Sequence, residues 1–281
     1  MEWSDWAVWL LLAATVAILF LYLRLMRKNR RLRQLADEAN RLRHEAAEEQ
    51  QRNRQLKQEM TSNIAHELKT PVSSIRGYLE ILLEGRAPLD EERRRHYLER
   101  SYSQTLRLSD LIQDVSLINK MEESADLFPK ADLDVCTVAQ EAVDELADRA
   151  DRAMVTMDNK LPAPMPLSGN RELLYAVFRN LVENAIEYAG EGCRITIETY
   201  TPATRRHTYY IHLYDNGRGV PDADLARLFD RFVRIDEGRS RRNGGTGLGL
   251  SIVKHAVLFH GGEIYARNRA EGGLEFFFSL K

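Results

Sequence analysis

The sequence predicts a membrane-anchored multidomain chain: a single transmembrane helix, a helical hairpin that dimerises into a four-helix bundle, and an α+β two-layer sandwich. Three observations lead to this prediction. Residues 6–23 form an uncharged, mostly apolar run, residues 1–70 contain no Gly or Pro, and 13 of the 16 glycines lie at or beyond Gly190. The early chain therefore favours long helices, and the later chain has the turn residues that strands require.

The composition excludes several classes of protein. With 44% hydrophobic residues in 281, the chain can form a sizeable core and is not disordered. Two cysteines, Cys136 and Cys193, are too few for a disulfide scaffold or a cysteine-only metal site. A formal net charge of −2 argues against direct binding of nucleic acid by the protein as a whole.

The first segment has the features of a membrane anchor. Residues 6–23 would form a helix of about 27 Å, close to the thickness of a hydrocarbon core of about 30 Å. Six basic residues and no acid follow in 24–33. We therefore expect a single-pass protein of the cell (inner) membrane, with residues 1–5 outside as a short stub and the remainder in the cytoplasm. A cleaved signal peptide is the alternative, which the acidic head disfavours.

Residues 24–56 are predicted to form a helical coiled-coil linker. Apolar residues recur in alternating steps of three and four over about four repeats. Asn53 occupies a core position, where a polar residue favours a parallel, in-register dimer. Between Leu56 and Leu68 three steps of four follow one another, a stutter that locally unwinds a left-handed supercoil. The alternative is a single solvated helix, which would be marginally stable alone.

Residues 57–123 are predicted to form the hairpin. A turn signal at 85–89 separates two amphipathic segments, and Asp90 is placed to cap the second helix. The two apolar stripes comprise Ile64, Leu68, Pro71, Ile75, Tyr78 and Leu82, and Leu98, Leu108, Leu111, Ile112, Val115 and Ile118. Because two such helices leave apolar surface uncovered, we expect a homodimer. Pro71 is expected to kink the first helix.

The first helix of the hairpin also contains a motif suited to phosphoryl transfer. His66 lies outside the apolar stripe, is followed by Glu67, and shares a helix face with Thr70. A neutral imidazole attacks phosphorus through one nitrogen while a carboxylate takes the proton from the other. The stretch SNIAHELKTPVSSIRGYLEIL resembles the phospho-acceptor box of two-component sensor histidine kinases, in a HisKA-type dimerisation and phosphotransfer hairpin.

That resemblance implies roles for three residues. His66 would be phosphorylated by ATP, and Glu67 would be its acid–base partner. Thr70 would position the water or the phosphoryl group of a response regulator when the enzyme acts as a phosphatase. A lone histidine on a helix is more often an ordinary surface residue, so the interpretation requires a nucleotide-binding domain further along the chain.

Residues 131–281 are predicted to form that domain, an α+β sandwich with one sheet and helices on one face. Helical patterns are found in 134–152, 169–188 and 251–259. Alternating strand patterns are found in 194–200, 207–214, 263–267 and 274–280.

Two clusters in this region suit a nucleotide and its metal. Asn180, Asn184 and Tyr188 are spaced i, i+4, i+8 on one side of a predicted helix. Amide oxygens are ligands that Mg²⁺ accepts beside waters and phosphate oxygens. Asp215 follows a predicted strand, where its carboxylate can accept the amine of adenine, and the glycines after it let the backbone approach the ring.

Two further clusters follow. Phe229 belongs to an aromatic pair that could fold a segment over a nucleotide. A glycine-rich run then opens the last helix, an arrangement that binds anions. The run is not a P-loop, since the Gly-Lys-Ser/Thr ending is missing. Between Arg231 and Arg242 there are five arginines against two acids, which predicts a positive lid.

In order and spacing these clusters resemble the N, G1, F and G2 boxes of the GHKL-type ATP-binding domain shared by histidine kinases, gyrase, a heat-shock chaperone and mismatch-repair ATPases. The resemblance covers Lys57–Lys281 and implies that ATP and Mg²⁺ bind, with Asn184 on the metal, Asp215 on adenine and Tyr188 stacked nearby. The implied nucleotide-binding set is Asn180, Asn184, Tyr188, Asp215, Gly217, Gly219, Phe229, Arg234, Gly245, Thr246, Gly247, Leu248 and Gly249.

One residue departs from the family pattern. Histidine kinases often have Lys or Arg just before the tyrosine, and this chain has Glu187. An acid near phosphates is expected to weaken nucleotide binding unless lid arginines such as Arg234, Arg239 or Arg241 compensate.

The sequence therefore predicts a sensor histidine kinase that autophosphorylates His66 and passes the phosphoryl group to an aspartate of a response regulator, with phosphatase activity as well. Asn180 supports transfer to a protein nucleophile, because hydrolysing relatives have a water-activating glutamate there. Since about five residues lie outside, we expect a membrane partner protein to supply the signal. The alternatives are a membrane-tethered ATP-binding signalling scaffold and a phosphatase-dominated partner with little kinase activity.

Overall fold

The structure, a computed structural model, describes residues 3–84, 90–200, 208–235 and 246–281. The chain divides into two compact units, residues 1–62 and 63–281. The predicted turn at 85–89 lies outside the described residues, as do the lid residues Arg239 and Arg241 and the glycine Gly245.

The described part of the first unit is helical, and helix α1 spans Trp3–Glu84. The absence of Gly and Pro from residues 1–70 explains this uninterrupted start. Within the described part of the chain, no helix has a stretch that is both long and apolar enough to cross a membrane. The transmembrane helix predicted over residues 6–23 is therefore not supported by the structure. The coiled coil predicted for residues 24–56 stays a prediction.

The second unit begins with the hairpin, formed by the end of α1 and by helix α2 (Glu91–Glu123). The predicted cap is confirmed, because the Asp90 side chain accepts a hydrogen bond from the Arg93 backbone N–H at 2.8 Å. Pro71 is buried inside α1, which continues past it to Glu84. The missing N–H of Pro71 leaves the carbonyl of Glu67 without its helical donor, and the helix is not broken there.

The two predicted apolar stripes differ in burial. All six residues of the α1 stripe are buried or half-buried. In α2, Leu111 and Ile118 are 3% and 1% exposed, whereas Leu98 and Ile112 are 51% and 55% exposed. A hairpin of two helices covers only one face of each, so the rest of the α2 stripe remains accessible to a further helix.

The α+β part of the second unit follows a short 3₁₀ turn. Its strands are β1 (Ala131–Asp134), β2 (Thr156–Asn159), β3 (Pro166–Gly169), β4 (Arg194–Tyr200), β5 (Tyr209–Asp215), β6 (Ile264–Asn268) and β7 (Leu274–Leu280). Its described helices are α3 (Val135–Glu145), α4 (Ala147–Arg152), α5 (Arg171–Tyr188), α6 (Asp222–Leu225) and α7 (Gly249–Phe259).

The larger sheet has the strand order β2-β4-β5-β7-β6. The β2–β4 pair is parallel and the other pairs are antiparallel, while β1 and β3 form a separate antiparallel pair. Helices α3, α5 and α7 pack together over the sheet, and the main core lies between the two layers. Phe178 of α5 meets Phe278 of β7 edge to face at 6.0 Å. The predicted α+β two-layer sandwich is confirmed.

The structure differs from the sequence prediction in two places. The helix predicted over 134–152 is two helices, α3 and α4, which meet at the buried Leu146. Strands β1, β2 and β3 were not predicted at all. Each is four residues long, which is too short to show the alternation by which a strand is recognised.

Candidate functional site

Helix α5 presents three of the predicted nucleotide-binding residues on one side. Asn180, Asn184 and Tyr188 are half-buried and line the same cavity. Other positions of the helix, including Leu181 and Val177, are fully buried in the core. The spacing i, i+4, i+8 therefore places the polar residues on the side that faces away from the core, as predicted.

The start of α5 is fixed by a buried histidine. Asn170 caps the helix, since its side-chain oxygen accepts from the Leu173 backbone N–H at 3.0 Å. The backbone N–H of Asn170 donates to Nε2 of His260, which follows α7, at 3.0 Å. Nδ1 of His260 donates to the Ala256 carbonyl at 2.7 Å, so the ring is neutral, and burial lowers its pKa. This contact sets the position from which α5 extends towards the cavity.

A cavity of about 940 Å³ lies between α2 and the sandwich. From the predicted nucleotide-binding set it is lined by Asn180, Asn184, Tyr188, Gly219, Arg234, Thr246, Gly247 and Gly249. The remaining described members of that set, Asp215, Gly217, Phe229 and Leu248, do not line it. The volume is at the upper end of the range of about 300–1,000 Å³ found for small-molecule sites.

Asp215 ends strand β5 and is 5% exposed. Its Oδ1 accepts from the backbone N–H groups of Gly217 at 2.7 Å and Leu274 at 3.3 Å. Neither bond uses Oδ2. Burial raises the pKa of this carboxyl, and the two backbone N–H groups oppose that shift. Gly217 packs against the backbone of Ala189, where a Cβ would collide with the carbonyl oxygen.

The described part of the glycine-rich run fits closely against its surroundings. Gly247 has φ +71° and accepts a hydrogen bond from the Phe232 backbone N–H at 2.7 Å. A Cβ on Gly249, the first residue of α7, would collide with Oδ1 of Asn180. Phe229 packs edge to face on Phe276 of the core at 6.2 Å, and its expected place over a nucleotide stays a prediction.

The predicted phospho-acceptor residues lie on the hairpin. His66 is exposed, and the Thr70 hydroxyl donates to the His66 backbone carbonyl at 3.3 Å. Glu67 Oε2 is 3.6 Å from Nη2 of Arg107 on α2 and 3.8 Å from Nη1 of Arg234 in the sandwich. The carboxylate beside His66 is thus paired with two cations that both line the cavity.

A second contact joins α2 to the glycine-rich run. The Thr246 hydroxyl donates to Oδ2 of Asp114 at 2.9 Å. Burial is the largest influence on this carboxyl and raises its pKa to about 6, against the lowering effects of Thr246 and Arg179. Asp114, Asp110 and Arg107 were not predicted as site residues, although their spacing of three and four places them on one face of α2.

Glu187, the residue that departs from the family pattern, lines the cavity. Burial raises the pKa of its carboxyl, and the charges of Arg149, Arg234 and Arg107 oppose the shift. Among the described residues, Oε1 of Glu187 is buried without a hydrogen-bond partner. Arg149 pairs instead with Glu183. The expected compensating arginine, Arg234, is present near Glu187 and is at the same time paired with Glu67.

The residues present fit a magnesium nucleotide. The Nδ2 of Asn180 donates to the Ala176 carbonyl at 2.8 Å, which leaves its Oδ1 on the side of Gly249. No such bond within the described residues engages the Asn184 amide, which remains available to a metal. Arg234 has two buried guanidinium nitrogens, Nε and Nη2, that no group in the described chain accepts from, as a phosphate oxygen would.

The fold and this site define a class of protein: an α/β nucleotide-binding domain joined to a hairpin with an exposed histidine. Two family comparisons specify it further. Residues 56–124 match the His Kinase A (phospho-acceptor) domain, and residues 169–281 match the histidine kinase-, DNA gyrase B- and HSP90-like ATPase domain. The chain belongs to the two-component sensor histidine kinases.

The individual proteins to which the chain is similar are also histidine kinases. The sensor-like histidine kinase SenX3 of Mycolicibacterium smegmatis is 33% identical over 225 residues, which are 80% of this chain and 57% of that protein. The chain therefore spans little more than half the length of this curated relative. The histidine kinase AdeS of Acinetobacter baumannii has a similar structure, with a TM-score of 0.60 at 23% identity over 77% of this chain and 97% of that one.

A second similar structure is the histidine kinase ThkA in complex with the response regulator protein TrrA. Its TM-score is 0.62 at 22% identity, and the match covers 79% of this chain and 60% of that one. At such identities the two structures are similar to this chain in fold.

Proposed function

We propose that the protein is an ATP-dependent protein-histidine kinase of a two-component system. The observation that supports this most is the link between hairpin and cavity. Glu67, the neighbour of His66, is paired with Arg234, which lines the candidate nucleotide cavity. A nucleophile, a proton acceptor and a phosphate-binding cation thus belong to one connected arrangement.

The chemistry follows from these residues. Neutral His66 would attack the γ-phosphorus of ATP through one ring nitrogen, forming an N–P bond. The bond from that phosphorus to the bridging oxygen breaks, and the electron pair leaves with ADP. Glu67 would accept the proton from the other ring nitrogen, so that the phosphohistidine forms neutral at the ring. The phosphoryl group would then pass to an aspartate carboxylate of a response regulator.

The sandwich would hold the nucleotide through the residues that the family resemblance assigns. Asp215 would accept the adenine amine through Oδ2, and Tyr188 would stack nearby. Arg234 would bind a phosphate oxygen through its free nitrogens. Asn184 would hold Mg²⁺, which supplies charge neutralisation of the phosphates when bound. Gly245 belongs to this proposed set by sequence alone.

A radiolabel experiment tests the proposal. Incubation of the full chain with γ-labelled ATP and Mg²⁺ should give an acid-labile, base-stable label that is lost in His66→Gln. His96→Gln, a change of a second hairpin histidine on α2, serves as the matched control and should retain the label. A wild-type chain that binds ATP and stays unlabelled contradicts the kinase proposal and favours the signalling scaffold.

One observation favours the second candidate, a phosphatase-dominated enzyme. Glu187 places a buried acid in the cavity, where it opposes the phosphates of ATP. Thr70, one helical turn after His66, would then position water for hydrolysis of the phosphorylated regulator. Release of phosphate from a phosphorylated regulator, faster than label enters His66, would establish this alternative.

Two partners belong to the proposal. A response regulator is favoured by family membership, and the similar kinase ThkA is found in complex with one. A homodimer is favoured by the apolar residues that α2 leaves uncovered, among them Leu106 and Ile112, which are 50% and 55% exposed. Sedimentation of the full chain would show whether it is dimeric.

Membrane attachment through residues 6–23, and with it a membrane partner protein, remains a proposal that rests on the sequence. The reasons are the uncharged run and the basic residues that follow it. Fractionation of cells that express the full chain or a chain without residues 1–23 tests it. Only the full chain should stay in the membrane fraction after a high-salt wash, and equal solubility of both would refute the anchor.

A further inference from the structure

The pairing of Glu67 is unlike that of the other described ion pairs in the hairpin. Its Oε2 lies 3.6 Å from Arg107, and the two side chains are 23% and 15% exposed. Arg76–Glu80 and Arg95–Glu99 connect residues four apart on one helix, and all four side chains are at least 60% exposed. Such surface pairs contribute little, whereas a half-buried pair between two helices restricts both side chains.

Arg107 and Arg234 are not equivalent partners of Glu67. Arg107 belongs to the same hairpin as Glu67, so this contact does not depend on where the nucleotide domain lies. Arg234 belongs to the sandwich, lies slightly farther away at 3.8 Å, and keeps two buried nitrogens without acceptors among the described residues. A bound phosphate would compete with Glu67 for Arg234, and only Arg107 would then hold the carboxylate.

The charges around Arg107 support its role in holding the Glu67 carboxylate. Burial lowers the pKa of this guanidinium, and Arg234 lowers it further, while Glu67, Glu187 and Tyr188 oppose the shift. Of the two acids, Glu67 stabilises the positive charge of Arg107 more than Glu187 does. The guanidinium has five donors on a planar group, which fixes a carboxylate more firmly than a single ammonium would.

From this geometry we infer that Arg107 is a positioning residue for autophosphorylation. It holds the Glu67 carboxylate in the orientation that accepts the ring proton of His66 while Arg234 binds the nucleotide. In this role Arg107 acts through Glu67 and not on the transferred group itself. The inference rests on the proposed kinase function and adds to it a residue of α2.

A double-mutant cycle tests the inference. Autophosphorylation rates at saturating ATP, and the ATP concentration that gives half the maximal rate, are measured for wild type, Arg107→Gln, Glu67→Gln and the double variant. We expect Arg107→Gln to lower the maximal rate by about 10- to 100-fold, with little change in the half-maximal ATP concentration. In the Glu67→Gln background, the same change should lower the rate less than about 2-fold.

Two further variants keep the test decisive. Arg107→Lys retains the charge and should recover part of the rate, which a loss of folding would not allow. Arg95→Gln removes the matched exposed arginine on the same helix and should label like wild type. Equal thermal unfolding of the variants excludes a structural effect, and if Arg107→Gln fails to fold, Arg107→Lys replaces it in the cycle.

The other results overturn the inference in distinguishable ways. Additive losses from Glu67→Gln and Arg107→Gln would show that Arg107 does not act through Glu67. A rise in the half-maximal ATP concentration at an unchanged maximal rate would make it a nucleotide-binding residue. An unlabelled wild-type chain would instead refute the kinase proposal, and the inference with it.

Discussion

The hairpin and the nucleotide-binding sandwich bury their apolar residues to different extents. The sandwich encloses Phe178, Phe276 and Phe278 at no more than 2% exposure. The hairpin buries Leu111 and Ile118 but leaves Leu106 and Ile112 half exposed. The sandwich therefore has a dense core between its sheet and its helices, whereas the uncovered face of the hairpin requires a further helical surface. The nucleotide-binding region thus depends on its own core, whereas the region that carries His66 depends on packing against a further helical surface.

The largest effect should come from the core of the sandwich. Phe278→Ala removes a fully buried ring that packs on Phe178, and we expect it to lower the free energy of unfolding by about 3–5 kcal/mol. Denaturant unfolding followed through the transition of the sandwich measures this. Tyr200→Ala, at a side chain that is 65% exposed, is the control and should change it by less than about 0.5 kcal/mol. Equal effects of the two variants would contradict the assignment of the core.

A smaller effect is expected at the uncovered face of the hairpin. Ile112→Glu places a charge on apolar surface of α2 and should weaken dimerisation by at least about tenfold, while the nucleotide Kd stays unchanged. Sedimentation equilibrium and titration with a non-hydrolysable ATP analogue measure the two quantities. Leu258→Glu, at a similarly exposed site on α7, should leave the dimer intact. Dissociation by Leu258→Glu alone would place the interface on the sandwich instead.

The smallest effect concerns the acid in the cavity. Glu187→Lys should tighten ATP binding by about tenfold, and Glu187→Gln by less, because each removes negative charge facing the phosphates. Calorimetric titration measures the Kd. Burial raises the pKa of Glu187, so the folded protein takes up its proton earlier than an ordinary carboxyl as the pH falls. ATP affinity of wild type should therefore rise relative to Glu187→Gln as the pH is lowered from 7 to 5. An unchanged or higher Kd for Glu187→Lys would refute the prediction.

The sequence predicted those parts of the site that depend on neighbours along the chain. The i, i+4, i+8 spacing of Asn180, Asn184 and Tyr188 places them on one side of α5, and the cap at Asp90 follows from its position before a helix. The strands β4 and β7 were predicted with their observed bounds, since seven residues are enough to show alternation.

The contacts between hairpin and sandwich could not be predicted in this way. Thr246 and Asp114 are 132 residues apart, and nothing local indicates that they meet. Thr246 lines the candidate nucleotide cavity, and its hydroxyl also donates to α2, which the sequence does not indicate. Likewise the contact of Phe229 with Phe276 of β7 joins residues 47 apart and has no local signal. These contacts depend on how two surfaces from distant parts of the chain pack together. The periodicity of residues within one helix or strand does not show that.

The burial of Asp114 beside Thr246, which raises the pKa of this carboxyl, also makes the contact between sandwich and hairpin sensitive to protons. In the docked arrangement the pKa of Asp114 is about 6, and an aspartate that is released to water has its ordinary value near 4. The docked arrangement therefore binds more protons between these values, so it is stabilised as the pH falls and loses that advantage as the pH rises above 6. Undocking at neutral pH releases no proton, whereas at pH 5 it must. A change in pH would then reach the nucleotide loop through one carboxyl, and Asp114→Asn should remove this pH dependence from the protection of the Thr246 amide, as measured by hydrogen exchange.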